Sequence, residues 1–359
     1  MFKHLAFALA VLFVLGNCDF ALGQQGLQFK FDGETQTFLP LGHTRHSVVA
    51  LKQDGYMVEI KARDIKNPKV VPKFRSRTQS QVRGDLLREF GKSFDVTGTG
   101  NYLVVHPRGA KDLWADRFED LYRSMVHFFR TRGYSTGKLQ FPLVSVVFYS
   151  KSQYLEYNRR VLKSNANGSL GVYYPTTNRI YLYDATRGTG KENSLWAENL
   201  ATVMHEAAHQ TAFNTGIHVR GGETPYWIAE GIGCLFEAKG IHNSFRYKQT
   251  KDRINYGRMR AFQRTVKGNE EELIASVIAS DDMFKRDPGR AYATAWALTF
   301  YLSERESRKY IRYLKLVSKH KPVTEYRSSD RVKEFTRVFG KDYKMLALRV
   351  RRFVEGLPD

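Results

Sequence analysis

His205-Glu206-Ala207-Ala208-His209, followed downstream by Glu230 within Trp227-Ile228-Ala229-Glu230-Gly231, decides the reading of this chain. Residues four apart on an α-helix stand one turn above another on the same face, so the two imidazoles can reach a single metal ion. Glu206, directly after the first histidine, can take a proton from a metal-activated water without occupying the metal itself. By composition such a pentapeptide arises in roughly one chain in a hundred of this length, so its surroundings carry the argument.

Those surroundings predict two helices. From Glu192-Asn193-Ser194, where Asn193 or Ser194 can cap, the apolar residues Trp196, Leu200, Val203 and Ala207 recur at three- and four-residue steps to about Phe213. His205 and His209 share a neighbouring stripe, and Asn214-Thr215-Gly216 is a stop signal. A loop rich in turn residues runs from Gly216 to Thr224. Pro225 then suits the start of a second helix, because its missing N–H would have no partner there anyway. This second helix carries Glu230.

The pairing of His205-Glu206-x-x-His209 with an aromatic-x-x-Glu-Gly segment resembles the gluzincin metallopeptidases, the group that includes thermolysin-like and aminopeptidase families. Tyr226 to Glu237 is similar to the aminopeptidase third-ligand helix, with Glu230-Gly231 as its most specific element. The resemblance implies one Zn2+ held by His205, His209 and Glu230, Glu206 as general base, and a water in the fourth coordination position. The metzincin pattern would need a glycine and a histidine where this chain has Ala212 and Thr215. The same resemblance implies an oxyanion-stabilising tyrosine roughly sixty residues past the third ligand, where Tyr292 stands; a core tyrosine on an aromatic-rich helix is the competing reading. Glu237, two turns after Glu230, is a candidate to hydrogen-bond a ligand imidazole, against a solvated or capping glutamate. Cys234 stands where thermolysin-like enzymes carry an aspartate, which makes that branch the poorer fit.

Residues 1–23 read as a signal peptide: Lys3, an apolar core from Leu5 to Leu15, then Ala21-Leu22-Gly23 before a cleavage point at Gln24. Asn17 directly before Cys18 suits lipid attachment poorly. Past this segment no apolar run is long enough to span a membrane, and Cys234 alone remains, so no internal disulfide can form. An exported, periplasmic, envelope or extracellular setting, bacterial in type, is expected. Cys234 reads as a small packing residue. The net charge of +21, with pI near 9.8, suits attraction to an anionic surface or polymer, or simply a solvated basic face. No nucleic-acid-binding signature accompanies the charge.

The expected fold class is α+β. A strand-rich N-terminal region, 24–108, shows alternation at Leu27–Phe31 and Tyr56–Ile60 and a further strand at Tyr102–His106 ahead of Pro107, with a basic, polar loop or hinge from Lys61 to Arg83. A catalytic domain, 109–359, follows. Its upper lobe, about 109–215, is expected to hold a mixed sheet and the zinc helix. It contains a helix from Trp114 to about Arg130, a strand at Leu143–Tyr149, a helix at Gln153–Leu162, a hairpin at 171–183, and then the zinc helix. This order matches the thermolysin-like arrangement that the resemblance implies, in which an edge strand pairs with the substrate backbone; one strand of the hairpin is the candidate. A helical lower lobe, about 216–359, completes it. His218, in the loop between the ligand helices, reads as a surface histidine or one approaching substrate.

The function expected from these residues is hydrolysis of peptide bonds in a peptide or protein substrate. The Gly-x-Met-x-Asn motif with which aminopeptidases hold a free N-terminus is not evident, which favours endopeptidase action or an undefined specificity. The alternatives are a binding or scaffold protein with a structural zinc, and a zinc hydrolase of another amide such as a wall cross-link.

Overall fold

A computed structural model of the chain describes residues 25–109, 114–185 and 192–358, and for 192–199 the backbone alone. The expected signal peptide, with Cys18, and the capping side chains of Asn193 and Ser194 lie outside the described residues. The fold is mixed α+β, with two five-stranded sheets followed by a long run of helices.

The first sheet contains Gly26–Phe31 (β1), Glu34–His43 (β2), Ser47–Leu51 (β3), Met57–Lys61 (β4) and Lys69–Val71 (β5). It is antiparallel throughout, in the order β4-β3-β2-β1-β5. Leu27, Phe29, Phe38, Val48 and Ile60 form its buried face, where Phe29 stacks on Phe38 with ring centroids 4.8 Å apart. The stretch expected to be a loop or hinge, Lys61 to Arg83, instead holds β5 and the start of a helix, Gln79–Phe90 (α1). Thr78 opens that helix with a capping box: its hydroxyl accepts from the Gln81 amide, and the Gln81 side chain accepts from the Thr78 amide at 2.9 Å.

The second sheet contains Phe94–Gly98 (β6), Tyr102–Pro107 (β7), Leu143–Phe148 (β8), Gly171–Tyr174 (β9) and Arg179–Tyr183 (β10). Its order is β6-β7-β8-β10-β9, with parallel pairing at β7/β8 and β8/β10 and antiparallel pairing at both ends. The expected boundary at residue 108 therefore falls inside one hydrogen-bonded sheet: β6 and β7 precede it, and β8 follows. Every residue of β8 is buried, as a strand covered on both faces requires. Ala115–Thr131 (α2) lies against one side; α1 and Lys151–Tyr157 (α3) lie against the other. The two edge positions fall to β6 and β9.

Glu192–Asn214 (α4) packs against β9 and β10. Gln210, fully buried on it, donates to Val144 O at 3.0 Å and Asn178 O at 2.7 Å, and Asn214 donates to Asn178 Oδ1. The helical half follows: Tyr226–Phe236 (α5), Lys239–His242 (α6), Tyr256–Thr265 (α7), Glu270–Ala279 (α8), Asp282–Arg286 (α9), Pro288–Arg305 (α10), Ser307–Val317 (α11), Ser328–Phe339 (α12) and Tyr343–Glu355 (α13). Among the described residues no helix is long and apolar enough to cross a membrane.

Helix α5 sits at the centre of this half. Trp227 is fully buried, stacked on Tyr313 at 5.8 Å and edge-on to Phe335; burial of so large a ring is worth on the order of 3 kcal/mol. Gly231 lets α5 approach α10, for a Cβ there would meet Ala295 O at 2.8 Å and collide with the Thr299 hydroxyl. The α5 N-terminus is held by Asp281, which accepts from the Tyr226 amide at 3.0 Å and is itself clamped by the Arg331 guanidinium.

The first sheet docks on the periphery of these elements. The Met57 amide donates to Thr176 O in the β9–β10 turn at 2.7 Å. Arg220 Nη2 donates both to Gly55 O and to Pro175 O, joining the first sheet, the hairpin and the loop between α4 and α5.

Candidate metal centre

The helical period places His205 and His209 on one face of α4, and α5 crosses so that Glu230 meets them. His205 Nε2 lies 3.0 Å from His209 Nε2 and 3.1 Å from Glu230 Oε2, and His209 Nε2 lies 3.6 Å from that oxygen. Two imidazole nitrogens and a carboxylate oxygen thus converge on one point, as donor atoms that share an ion do, and the three could hold a metal. Burial works against charge on Glu230, yet His209 and His205 outweigh it and hold the carboxyl well below the usual carboxylate range.

Glu237 faces the other nitrogen of the same ring, with Oε1 2.8 Å from His205 Nδ1. Burial opposes its charge too, but His205, Arg258 and Asn255 keep its carboxyl below the ordinary value. An ionised carboxylate only accepts, so Nδ1 carries the proton and the Nε2 lone pair is left for a metal. Asn255, the N-cap of α7, donates to Glu237 Oε2 at 2.6 Å and to Cys234 O at 3.0 Å, which anchors the carboxylate in turn. Gly233 completes the support, because a Cβ there would lie 2.6 to 2.9 Å from three atoms of the His205 ring.

A second donor set, His205, Cys234 and Glu237, shares this imidazole. Arg258 decides between them. Its guanidinium interacts with Cys234 and Glu237, which raise its pKa despite burial, so a cation already stands at the second set. Cys234 is fully buried and its thiol is pushed up by burial, as a packing residue's would be.

Glu206 points along the edge of the sheet. Its Oε2 accepts from the Tyr173 amide of β9 at 2.6 Å. Burial raises its carboxyl above the usual range, while His205, His209 and the amide bond pull the other way. A carboxylate of raised pKa next to histidines suits proton transfer near neutral pH.

Tyr292 lies on the opposite wall, on α10. Its ring centroid is 6.5 Å from that of His205, and its hydroxyl titrates well above the usual tyrosine, mainly through burial and also through Glu230. It therefore stays protonated and able to donate. Arg258 lies over its ring, 4.8 Å from the centroid, and Phe284 meets it edge-on at 5.5 Å.

His218 departs from its reading as a surface residue. It is buried, edge-on to Phe213 at 5.0 Å, with neither ring nitrogen paired in normal geometry among the described residues. Burial, with His209 nearby, pushes its pKa down to about 3, so the ring is neutral. The sequence reading missed Tyr173, Asn255, Arg258 and Gly233. A glycine two residues past Glu230-Gly231 inside a helix and an asparagine ahead of a helix were readable signals; nothing marked Arg258 or the Tyr173 amide.

Comparison with known proteins adds a family and a distant likeness. Residues 199–324 match a family described as "Protein of unknown function (DUF1570)", a span that takes in all six candidate residues from His205 to Tyr292. No curated protein matches the chain. A solved structure, "a functionally unknown conserved protein from Bacillus anthracis str. Ames", is similar at a TM-score of 0.37 and 10% identity, covering 93% of this chain and 69% of that one.

Proposed function

We propose that this chain is a zinc-dependent hydrolase of peptide bonds with a gluzincin-like catalytic arrangement. The observation that carries the reading is the convergence of His205 Nε2, His209 Nε2 and Glu230 Oε2 beside a fourth group, Glu206, that does not share their point of convergence. Their separations define a circle whose radius is about 1.9 Å, so a site about 2.0 Å from all three lies just off their plane, the bond length zinc takes with nitrogen and oxygen. Zinc bound there would supply Lewis-acid polarisation of a water and of the scissile carbonyl.

The chain's own residues supply the rest. Glu206, with Oε2 steadied by the Tyr173 amide, takes the proton of the attacking water and returns it to the leaving nitrogen. Tyr292 donates its hydroxyl to the developing oxyanion, and Arg258 holds the ring in place. Glu237 fixes the orientation of His205. The edge strand β9 runs beside Glu206 and is the candidate to pair with substrate backbone. Among the described residues no fourth His, Cys, Asp or Glu joins the donor set, which favours an open catalytic site over a closed structural one.

Glu206→Gln tests the reading. Hydrolysis of casein and of fluorogenic peptides is expected to fall by a factor of about a hundred to ten thousand, with zinc content unchanged. Undiminished peptidase activity in that variant would sink it. Purified cell-wall fragments assayed alongside decide whether the amide cleaved is a peptide bond or a wall cross-link.

A further inference from the structure

On α11 every solvent-exposed residue is cationic: Arg308, Lys309, Arg312 and Lys315. They recur at one-, three- and three-residue steps along one side of the helix, so the charges follow each other over about 10 Å of axis. Arg305 and Lys319, both exposed, extend the row at its two ends. The opposite side, with Tyr310, Ile311, Tyr313, Leu314 and Val317, is buried, and Tyr313 stacks on Trp227. The cationic side thus points away from α5 and the metal ligands.

Neutralisation of the row is sparse. Lys309 meets Glu306 at 2.9 Å, and Arg312 donates to Val338 O at 3.3 Å; Arg308 and Lys315 have no carboxylate within ion-pair distance among the described residues. The same Glu306 faces Arg349 of α13 at 3.9 Å, which adds a further cation beside the row. Between Arg305 and Arg352 sixteen Lys and Arg stand against five Asp and Glu, a surplus of eleven out of the chain's net +21. A helix whose whole exposed side carries one sign is costly in self-repulsion unless a partner of opposite sign meets it.

We propose that this side of α11 is a docking surface for a linear anionic polysaccharide, carboxylated or sulfated. Lys309, Arg312 and Lys315, three residues or about 4.5 Å of axis apart, match a polymer that repeats its anions along its length, and association would be steered by charge. The apolar side of α11 is consumed by the core, so nothing is left to insert into a membrane. No exposed aromatic lies on the helix to stack bases, as single-stranded nucleic acid binding uses. The Arg312 bond to Val338 O of α12, and the ion pair of Glu306, just ahead of the helix, with Arg349 of α13, keep the helix flush with its neighbours instead of projecting as a groove-reading helix does. The proposal stands independently of the metal centre.

The test uses the full chain and a heparin-derived octasaccharide, with affinity followed by fluorescence anisotropy at two salt concentrations. Arg308→Gln, Lys309→Gln, Arg312→Gln and Lys315→Gln combined keep good helix formers in place; the expected weakening is about thirtyfold, with a shallower salt dependence. A control of equal charge, Lys61→Gln, Arg63→Gln, Lys66→Gln and Lys69→Gln combined on the exposed rim of the first sheet, is expected to weaken binding less than about threefold. An oligodeoxythymidine of equal charge is expected to bind more weakly than the octasaccharide. Equal loss in the control, or tighter binding of the oligodeoxythymidine, would overturn the proposal.

Discussion

Glu237 shows how much a single carboxylate outside the donor set can govern. It sits behind His205 and fixes which nitrogen carries the proton, so Glu237→Gln should leave the fold intact while lowering zinc affinity by about ten- to a hundredfold. Competition with a chromogenic chelator reads this directly, and an unchanged affinity would remove Glu237 from the account. His218 tests a different property. An unfolded histidine protonates near 6.5, whereas this one resists protonation down to about 3. Between those values the unfolded state binds the extra proton, so stability falls as pH drops, by about 1.4 kcal/mol per unit. His218→Leu replaces an unpaired buried ring with an apolar group and should be close to neutral at pH 7. In urea titrations across pH 6.5 to 3.5, the slope of stability against pH should shrink by about that amount; an unaltered slope would mean that the ring titrates normally. The sequence made the candidate donors legible, His205 and His209 because helical spacing brings four-apart histidines together and Glu230 because its helix carries the family resemblance. It hid His218, whose burial depends on Phe213 packing over the loop from across a turn.

Helices α5 and α10 carry Glu230, the proposed third ligand, and Tyr292, and their approach depends on one missing side chain. Gly231→Ala would press a methyl against Ala295 O and the Thr299 hydroxyl, so a loss of about 1 to 3 kcal/mol is expected by chemical denaturation. A variant as stable as the parent would show that the helices can part at little cost. Among the strands, β1 and β4 were readable from alternation, and β7, β8, β9 and β10 from runs of apolar, β-branched and aromatic residues bounded by turn signals. Strand β2 was not, because Pro40 and Gly42 interrupt it at a register shift against β3, and proline and glycine read as breakers. Strand β6 presents only Phe94 and Val96 to the core, too few for a pattern. Helix α1 buries only Val82 and Leu86 within a polar, basic run, so its capping box at Thr78 and Gln81 was the signal to follow.

The whole chain is organised around a single convergence. The second sheet presents α4, the helical half presents α5 and α10, and the first sheet braces the loop and hairpin beside them through Met57 and Arg220. That bracing was out of reach of the sequence, because it rests on contacts between residues far apart in the chain whose local patterns are unremarkable. The donor set makes a demand on the molecule that metal analysis answers. Chain purified without chelator and measured by plasma mass spectrometry should hold close to one zinc, and Glu230→Ala should fall toward none while remaining folded. A parent chain without zinc even after exposure to the metal, or a Glu230→Ala variant that keeps the full complement, would contradict the assignment of His205, His209 and Glu230 as its ligands.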